Sequence, residues 1–433
     1  MAEMHRHRSD ASETPVGAAG WTALAVLLVV YMINFMDRQL FAVLQEQIRA
    51  DLGLDDWQLG LLGGTMFAIF YATMGLPIAW LADRTHRIRL IAGACTVWSL
   101  FTALSGAASG FLTMALARIG VATGEAGGVS PSYSVLSDYF PKTRRGLALG
   151  VFTIGAPIGL MAGTVLGALI ADALSWRWAF VILGLPGVGL AALLIVLVRE
   201  PERGRLDPAA AATTKPRPLD AARAVLNTPS LILLTAAAAA TSFGGYGLYQ
   251  WIPSFLQRSQ GLPLETVGAL LGPIFLVGVL GAVGGGWIAD RIARRHVSAY
   301  ALVPAVSMAL ASPFFLAAIL VRDGQLSLIL LVIPVSLSYA WLGPGLAAVQ
   351  TLSSPHMRAQ TAAIVGFFNN LIGFGLGPLF VGGLSDILQR TMSEGEALRM
   401  AMGAAAVSLL FAAGLFFLAA KTLKRDLERA AQA

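Results

Sequence analysis

A single cysteine, Cys95, in a chain of 433 residues excludes a disulfide framework, a cysteine-ligated zinc site and a CxxC redox pair. It lies in an apolar run, where a thiol packs like a small hydrophobe. The five histidines fall at positions 5, 7, 86, 296 and 356, outside the hydrophobic stretches, so no metal ligands are expected. Charge is scarce as well: 12% of residues against about 25% in a soluble globular chain. No GxxxxGK[ST] phosphate loop, HExxH helix or GxSxG elbow occurs, so a nucleotide-driven pump, a metalloprotease and a serine hydrolase are not expected. The chain is read as no enzyme, with no cofactor.

Apolar sequence fills the gap. Hydrophobic residues make up 56% of the chain and mean hydropathy is +0.71, which describes an all-α membrane protein. The window of about 20 apolar residues needed for one crossing predicts helices at 21–45, 57–82, 88–108, 111–139, 145–171 and 176–198. Six more follow at 229–256, 265–289, 297–320, 326–352, 359–386 and 395–420. This divides the chain into a tail at 1–20, a six-helix bundle at 21–198, a linker at 199–228, a second bundle at 229–420 and a tail at 421–433. The first tail lacks a short apolar core followed by a small-residue cleavage site and is expected to be retained. The linker mixes Pro, Arg, Lys, Asp and Glu and should be solvated, with a short surface helix from Leu219 to Leu226.

The formal charge of +6 does not point to nucleic acid, because the basic residues alternate with the apolar runs. With both termini in the cytoplasm, twenty-two of the thirty Lys and Arg residues fall inside, six outside, and Arg38 and Arg118 within the membrane. Compact loops and short tails suggest a bacterial inner membrane. The two bundles echo one another, as transporter halves do. AWLADRTHRIR (79–89) answers GWIADRIARR (286–295), and Asp172 answers Asp386 at the offset that also relates Pro141–Arg144 to Pro355–Arg358.

Four ionisable residues are predicted inside the membrane, all in the first bundle: Asp37, Arg38, Arg118 and Glu125. Each costs a few kcal/mol there unless it faces a bundle interior or a wet cavity, so the set is a functional-site candidate. Arg118 and Glu125 are seven apart, on one helix face and about 10 Å apart along it. Counted from the cytoplasmic helix ends, Asp37 lies about 24 Å deep and Glu125 about 21 Å. Two acids and two arginines sum to zero and can close up as pairs. Protonating one acid leaves the pocket at net +1 and frees a guanidinium to take a carboxylate or phosphate. Asp37 and Glu125 are therefore the proton-coupling candidates, and Arg38 and Arg118, with Asn34 and Tyr31, the substrate-binding ones. Burial and neighbouring guanidinium groups pull a carboxyl in opposite directions, so the residue types leave open which acid takes the proton.

The second bundle carries no predicted intramembrane charge and offers Tyr246, Tyr249, Asn369 and Asn370 instead. One charged half and one aromatic, amide-bearing half suit an amphipathic anion. Asp83, Arg84, Arg87, Asp138, Arg144, Asp290 and Arg291 are expected to act as a gate that pins the cytoplasmic faces of the halves. The glycine-rich runs at 155–159, 284–290 and 375–379 should allow close helix approach, and Pro157, Pro273 and Pro378 can act as kinks.

The DR-type loops after the second helix of each half, the Arg in the fourth helix and GAPIGLMAGTVLG (155–167) resemble the major facilitator superfamily over about 20–420. NFMDRQ (34–39), RIGVATGEAGGVSPSYSVLSDYFP (118–141), SWRWAF (175–180) and REPERG (199–204) resemble its Spinster family, associated with sphingolipid and lysolipid transport. Ala79 and His86 depart from the glycines usual in the first loop. The resemblance implies twelve helices in two pseudo-symmetric halves, alternating access and an ion gradient as energy source. It also implies that the first and fourth helices line the central cavity, with the two acids facing one another across it. The expected function is proton-coupled transport of an amphipathic anion such as a lysophospholipid or sphingosine phosphate. Alternatives are a proton symporter for sugar acids and an uncoupled lipid facilitator. The expected partners are substrate, protons and membrane lipids, with no nucleic acid, and the chain is expected to be a monomer.

Overall fold

The computed structural model describes residues 16–204, 218–354 and 357–432. Most of the expected N-terminal tail, residues 205–217 of the linker with Arg205, Lys215 and Arg217, and Pro355 lie outside the described residues. Among the described residues the chain is helical, without strands.

Eleven helices among the described residues are long and apolar enough to cross a membrane. In chain order they are α1 (Ala18–Leu52), α2 (Asp56–Ala82), α3 (Arg87–Ser105), α5 (Thr143–Ala173), α6 (Trp176–Leu197) and α7 (Pro229–Arg258). The rest are α8 (Leu264–Ala293), α9 (Ala299–Leu320), α10 (Gly324–Leu352), α11 (Gln360–Leu388) and α12 (Glu394–Arg429). The twelfth, α4, is two pieces, Phe111–Glu125 and Val129–Tyr139. Gly127, Gly128 and Pro131 explain the break: two glycines relax the backbone, and proline removes a donor from the next turn. The linker helix spans Pro218–Asn227.

Two helices overrun the apolar windows. The far end of α1 carries Glu46, Gln47 and Arg49, whose side chains bind the other half of the molecule. The end of α12 runs on because Asp426 docks it on the start of α7, accepting from the Ser230 backbone N–H at 2.9 Å and its hydroxyl at 2.7 Å. That carboxylate caps a helix whose own N-cap residue, Thr228, makes no side-chain cap.

On α5, Gly155, Gly159, Gly163 and Gly167 recur every fourth residue against α1. A Cβ at Gly159 would stand 2.2 Å from the Met32 carbonyl oxygen and one at Gly163 2.5 Å from that of Met36, so the two backbones touch only because these positions are bare.

The repeat extends to a device that composition hides. In the first half Arg177, at the start of α6, donates to the Gly106 and Ala108 carbonyls beyond α3 and to Asp51 of α1. In the second half Arg399, in α12, donates to the Ile319 and Val321 carbonyls at the end of α9 and to the Ser259 carbonyl after α7. Each arginine gathers the C-terminal ends of the first and third helices of its half, where helix dipoles favour a cation. Arg399 is buried and Arg322 exposed. Arg399→Gln is expected to cost about 2 kcal/mol, from lost charge-assisted bonds to buried carbonyls. Thermal unfolding in detergent should show a lower Tm for Arg399→Gln and no change for Arg322→Gln; equal shifts would remove the clamp from the account.

Candidate functional site

The side of the molecule holding Ala18 and the end of α12 is the terminal face; α1 ends and α2 begins at the opposite face. Midway between them the four predicted intramembrane charges come together inside the first half, with α1 packed on α4. Asp37 and Glu125 are fully buried and close enough to repel one another. They meet within the half, not across a cavity as the resemblance implied. Glu125 Oε2 accepts from Arg38 Nε at 2.6 Å. Asp37 Oδ2 accepts from Thr102 Oγ1 of α3 at 3.0 Å. Glu125 Oε1 and Asp37 Oδ1 have no hydrogen-bond partner among the described residues.

Arg38 is boxed by aromatic rings. Its guanidinium carbon lies 5.1, 4.8, 4.9 and 5.9 Å from the ring centres of Phe35, Phe67, Tyr71 and Phe374. Phe374 belongs to α11, so the box closes across the two halves. Its side chain keeps 17% of its surface, and its terminal amino groups make no hydrogen bond among the described residues. Arg118 lies deeper, 4.9 Å from the Phe41 ring and 5.3 Å from Phe67, with Nε unbonded. The two arginines share one face-lining ring, Phe67, and such contacts contribute about 0.5 to 2 kcal/mol each. Arg38 borders the gap between the halves; Arg118 supports the acids from behind.

The other sequence candidates divide in the same way. Asn34 is buried against Glu125. Tyr31 and Tyr246 are half-buried near Arg38, and Tyr246 packs edge-on against Phe374 with ring centres 4.9 Å apart. Tyr249 is set back, bonded to the Ser338 hydroxyl and packed on Tyr339. Asn369 accepts from the Ser242 hydroxyl, and Asn370 donates to the Gly366 carbonyl at 2.9 Å, so both amides satisfy the second half's own helices. They open a π-helical turn, Asn369–Leu376, that abuts a second one in α2, Leu61–Thr65, where Thr65 Oγ1 donates to the Gly375 carbonyl at 2.5 Å. Sequence reasoning missed Phe35, Phe67, Tyr71, Phe374 and Thr102. The i, i+4 spacing of Phe67 and Tyr71 was the available signal, since it stacks two rings on one face.

The gate assigned from sequence does not join the halves here. Arg87 binds Asp138 at 2.5 Å and Glu200, at the start of the linker, at 2.6 Å, neither of them in the second half. Arg203 donates to the Ala82, Asp83 and Thr85 carbonyls. Arg84 lies on the Trp80 ring, Asp290 accepts from Tyr300, and Arg291 lies near Trp287. No ion pair of Arg144 is found among the described residues. A loop charge can pin halves only where they touch, and they touch at the opposite face.

There Arg258 of α7 holds Glu46 of α1 at 2.6 Å and Asp56 of α2 at 2.6 Å. Asp56, fully buried, also takes Ser385 Oγ of α11 at 2.7 Å and Nε2 of Gln389, just past the end of that helix, at 2.8 Å. Asp386 returns the contact, accepting the Asp56 and Trp57 backbone N–H groups at 3.1 and 2.7 Å and so capping α2 from the other half. Arg49 reaches Glu394, and Gln45 bridges Gln250 and Ser254 one turn deeper. Every hydrogen bond between halves among these runs from residues 45–65. The protein is closed at the opposite face, and its charged loops at the terminal face are unlinked among the described residues.

A family model described as the Major Facilitator Superfamily matches residues 27–378. An MFS-type efflux pump of Mycolicibacterium smegmatis is 34% identical over 408 residues, 94% of each chain. A sphingosine-1-phosphate transporter of Danio rerio is 28% identical over 435 residues, 94% of this chain and 84% of that one. Among solved structures, a bacterial homolog of the human lysosomal transporter Spinster in its inward-facing, unoccupied conformation superposes with a TM-score of 0.86. It is 30% identical and the match covers 95% of this chain and 99% of that one.

Proposed function

The chain belongs to the major facilitator superfamily as a Spinster-like transporter, and from that premise we propose that it carries an amphipathic anion by proton-coupled alternating access. One observation carries the reading: a charge-neutral set of two acids and two arginines is buried where one guanidinium, Arg38, borders the gap with its terminal amino groups unbonded among the described residues. The aromatic box around it takes a ring from each half, so an anion bound there would touch both moving parts. With the termini in the cytoplasm, as the distribution of basic residues supports, closure of the opposite face reads as an inward-facing state in a plasma membrane.

The proposed cycle runs through Glu125. While ionised, it occupies Arg38 and the pocket is neutral. A proton on Glu125 dissolves the 2.6 Å ion pair, leaves the pocket at net +1 and turns the fork of Arg38 toward a phosphate or carboxylate. The aromatic side chains of the second half, Tyr246 and Phe374 first, take the apolar tail. Asp37, coupled to Glu125 and bonded to Thr102, senses the same proton.

The sign of the pH effect follows: anion binding strengthens as pH falls. Glu125→Gln mimics the protonated acid and should bind the anion with an affinity that no longer changes with pH, while losing gradient-driven accumulation. The test is flux in liposomes containing a pH-sensitive dye, with sphingosine phosphate, a lysophospholipid and a sugar acid offered separately under a proton gradient. Proton movement evoked by the lipids and abolished in Glu125→Gln supports the reading. Movement evoked only by the sugar acid transfers the protein to small organic acids, and lipid flux indifferent to the gradient makes it an uncoupled facilitator.

A further inference from the structure

Inside the first half, α1, α3, α4 and α5 enclose a cleft that the ion pairing above does not use. Tyr31, Asn34, Trp98, Gly128, Ser132 and Phe152 line it, and it has room for about one water molecule. Its walls are mostly apolar but carry a few polar groups. Trp98 is fully buried with its indole N–H unbonded among the described residues. Ser132, 1% exposed, donates to the Gly128 carbonyl at 2.7 Å and keeps its acceptor lone pairs for the cleft. Asn34, at the cleft's inner end, lies against the Glu125 carboxyl.

The break in α4 makes this space. Glu125 ends the first piece and Gly128 precedes the second, its N–H reaching back to the Glu125 carbonyl at 3.0 Å. A side chain at 128 would enter the cleft. Ser132 and Gly128 are seven and eleven residues from Tyr139, about 10 to 16 Å of helix from the terminal face. A proton travelling inward from that face meets the cleft before it meets the acid.

We propose that the cleft holds a water that delivers the proton to Glu125 Oε1, the oxygen Arg38 does not use, by a route within the first half. The inference rests on the reading of Glu125 as the proton site and adds its path. The water accepts a proton from the terminal side and passes one to the carboxylate, so water is regenerated and only the carboxyl changes. Around Glu125 stand Arg38, Asp37 and Asn34 of α1 and Arg118 of its own helix; Thr102 of α3 faces Asp37. The route explains how the acid can load, and so release Arg38, without the proton crossing the gap through which substrate arrives. Proton and anion then arrive from different sides of one carboxyl group.

The test needs no substrate. Time-resolved infrared spectroscopy after a pH jump follows the buried carboxyl band in the purified protein. Glu125→Gln should delete that band. Gly128→Val fills the cleft and its Cβ meets only ordinary contacts, 3.4 Å to Trp98 and to the Glu125 carbonyl. It should slow protonation at least tenfold and leave the final amplitude unchanged; Ser132→Ala, which keeps the backbone and most of the volume, should slow it by a smaller factor. Wild-type rates in both variants overturn the path and leave Glu125 as the proton site. A band that survives Glu125→Gln overturns both.

Discussion

Arg258→Gln should swing the protein out of the conformation described above. Among the described residues the guanidinium alone pairs with both Glu46 and Asp56, with Arg49 adding a longer 3.3 Å contact to Asp56, and the Arg258 side chain keeps only 7% of its surface. Removing one partner of a buried charge network leaves the others uncompensated, at a cost of about 3 to 5 kcal/mol. That cost falls on the closed opposite face alone, because the network exists only while α7 touches α1 and α2. A change of this size alters the ratio of two conformers by about a hundredfold or more. Spin labels at Ser109 and Arg322, in opposite-face loops of the two halves, should report a longer distance in the variant. Arg49→Gln should move the distribution less, since Arg49 is 23% exposed, lies 3.3 Å from Asp56 where Arg258 lies at 2.6 Å, and its other partner, Glu394, is exposed. An Arg258→Gln distribution that overlays wild type would mean the glycine and amide contacts at this face hold it without the ions.

The second large effect is expected at Arg38, where Lys should fail as a substitute. An ammonium keeps the charge but has no planar fork to bind an anion bidentately and no flat face to lie among Phe35, Phe67, Tyr71 and Phe374. Arg38→Lys should weaken binding of sphingosine phosphate at least thirtyfold, about 2 kcal/mol. The loss should be mostly in KM, because the binding group is altered while the acids stay in place. Arg118→Lys, behind Phe67 and 2% exposed, should change the pH dependence of transport more than its KM. A reversed pattern would exchange the roles given to the two arginines.

The contrast between these arginines shows where sequence reading stops. Arg38 and Arg118 were both legible as intramembrane charges, because hydrocarbon on either side makes any ionisable residue conspicuous. Their difference in role was not, since it depends on which one has Phe374, more than 250 residues away, over its face. The amides at 369 and 370 were equally legible as needing partners, and only packing decided that Ser242 and Gly366 supply them.

The loop charges teach the converse. Asp83, Arg84, Asp290 and Arg291 announce themselves by repetition and were read as the link between halves. In this conformation the link is made by Glu46, Asp56, Arg258 and Asp386, which stand at helix ends where a hydropathy window sees only the end of a span. Arg177 and Arg399 looked like ordinary loop cations for the same reason, yet each gathers helix ends from its own half.

What the sequence determined by itself was the number of crossings, the repeat, the neutral charge set and the glycine stripe of α5. These are properties of consecutive residues: a segment crosses a membrane because its own backbone bonds and its own side chains satisfy the hydrocarbon. What the tertiary structure decided was which charges pair, which face is closed and where a cleft opens inside the first half. Those depend on distances between helices far apart in the chain, and a paired charge is stabilised by its partner's position, which no local pattern encodes.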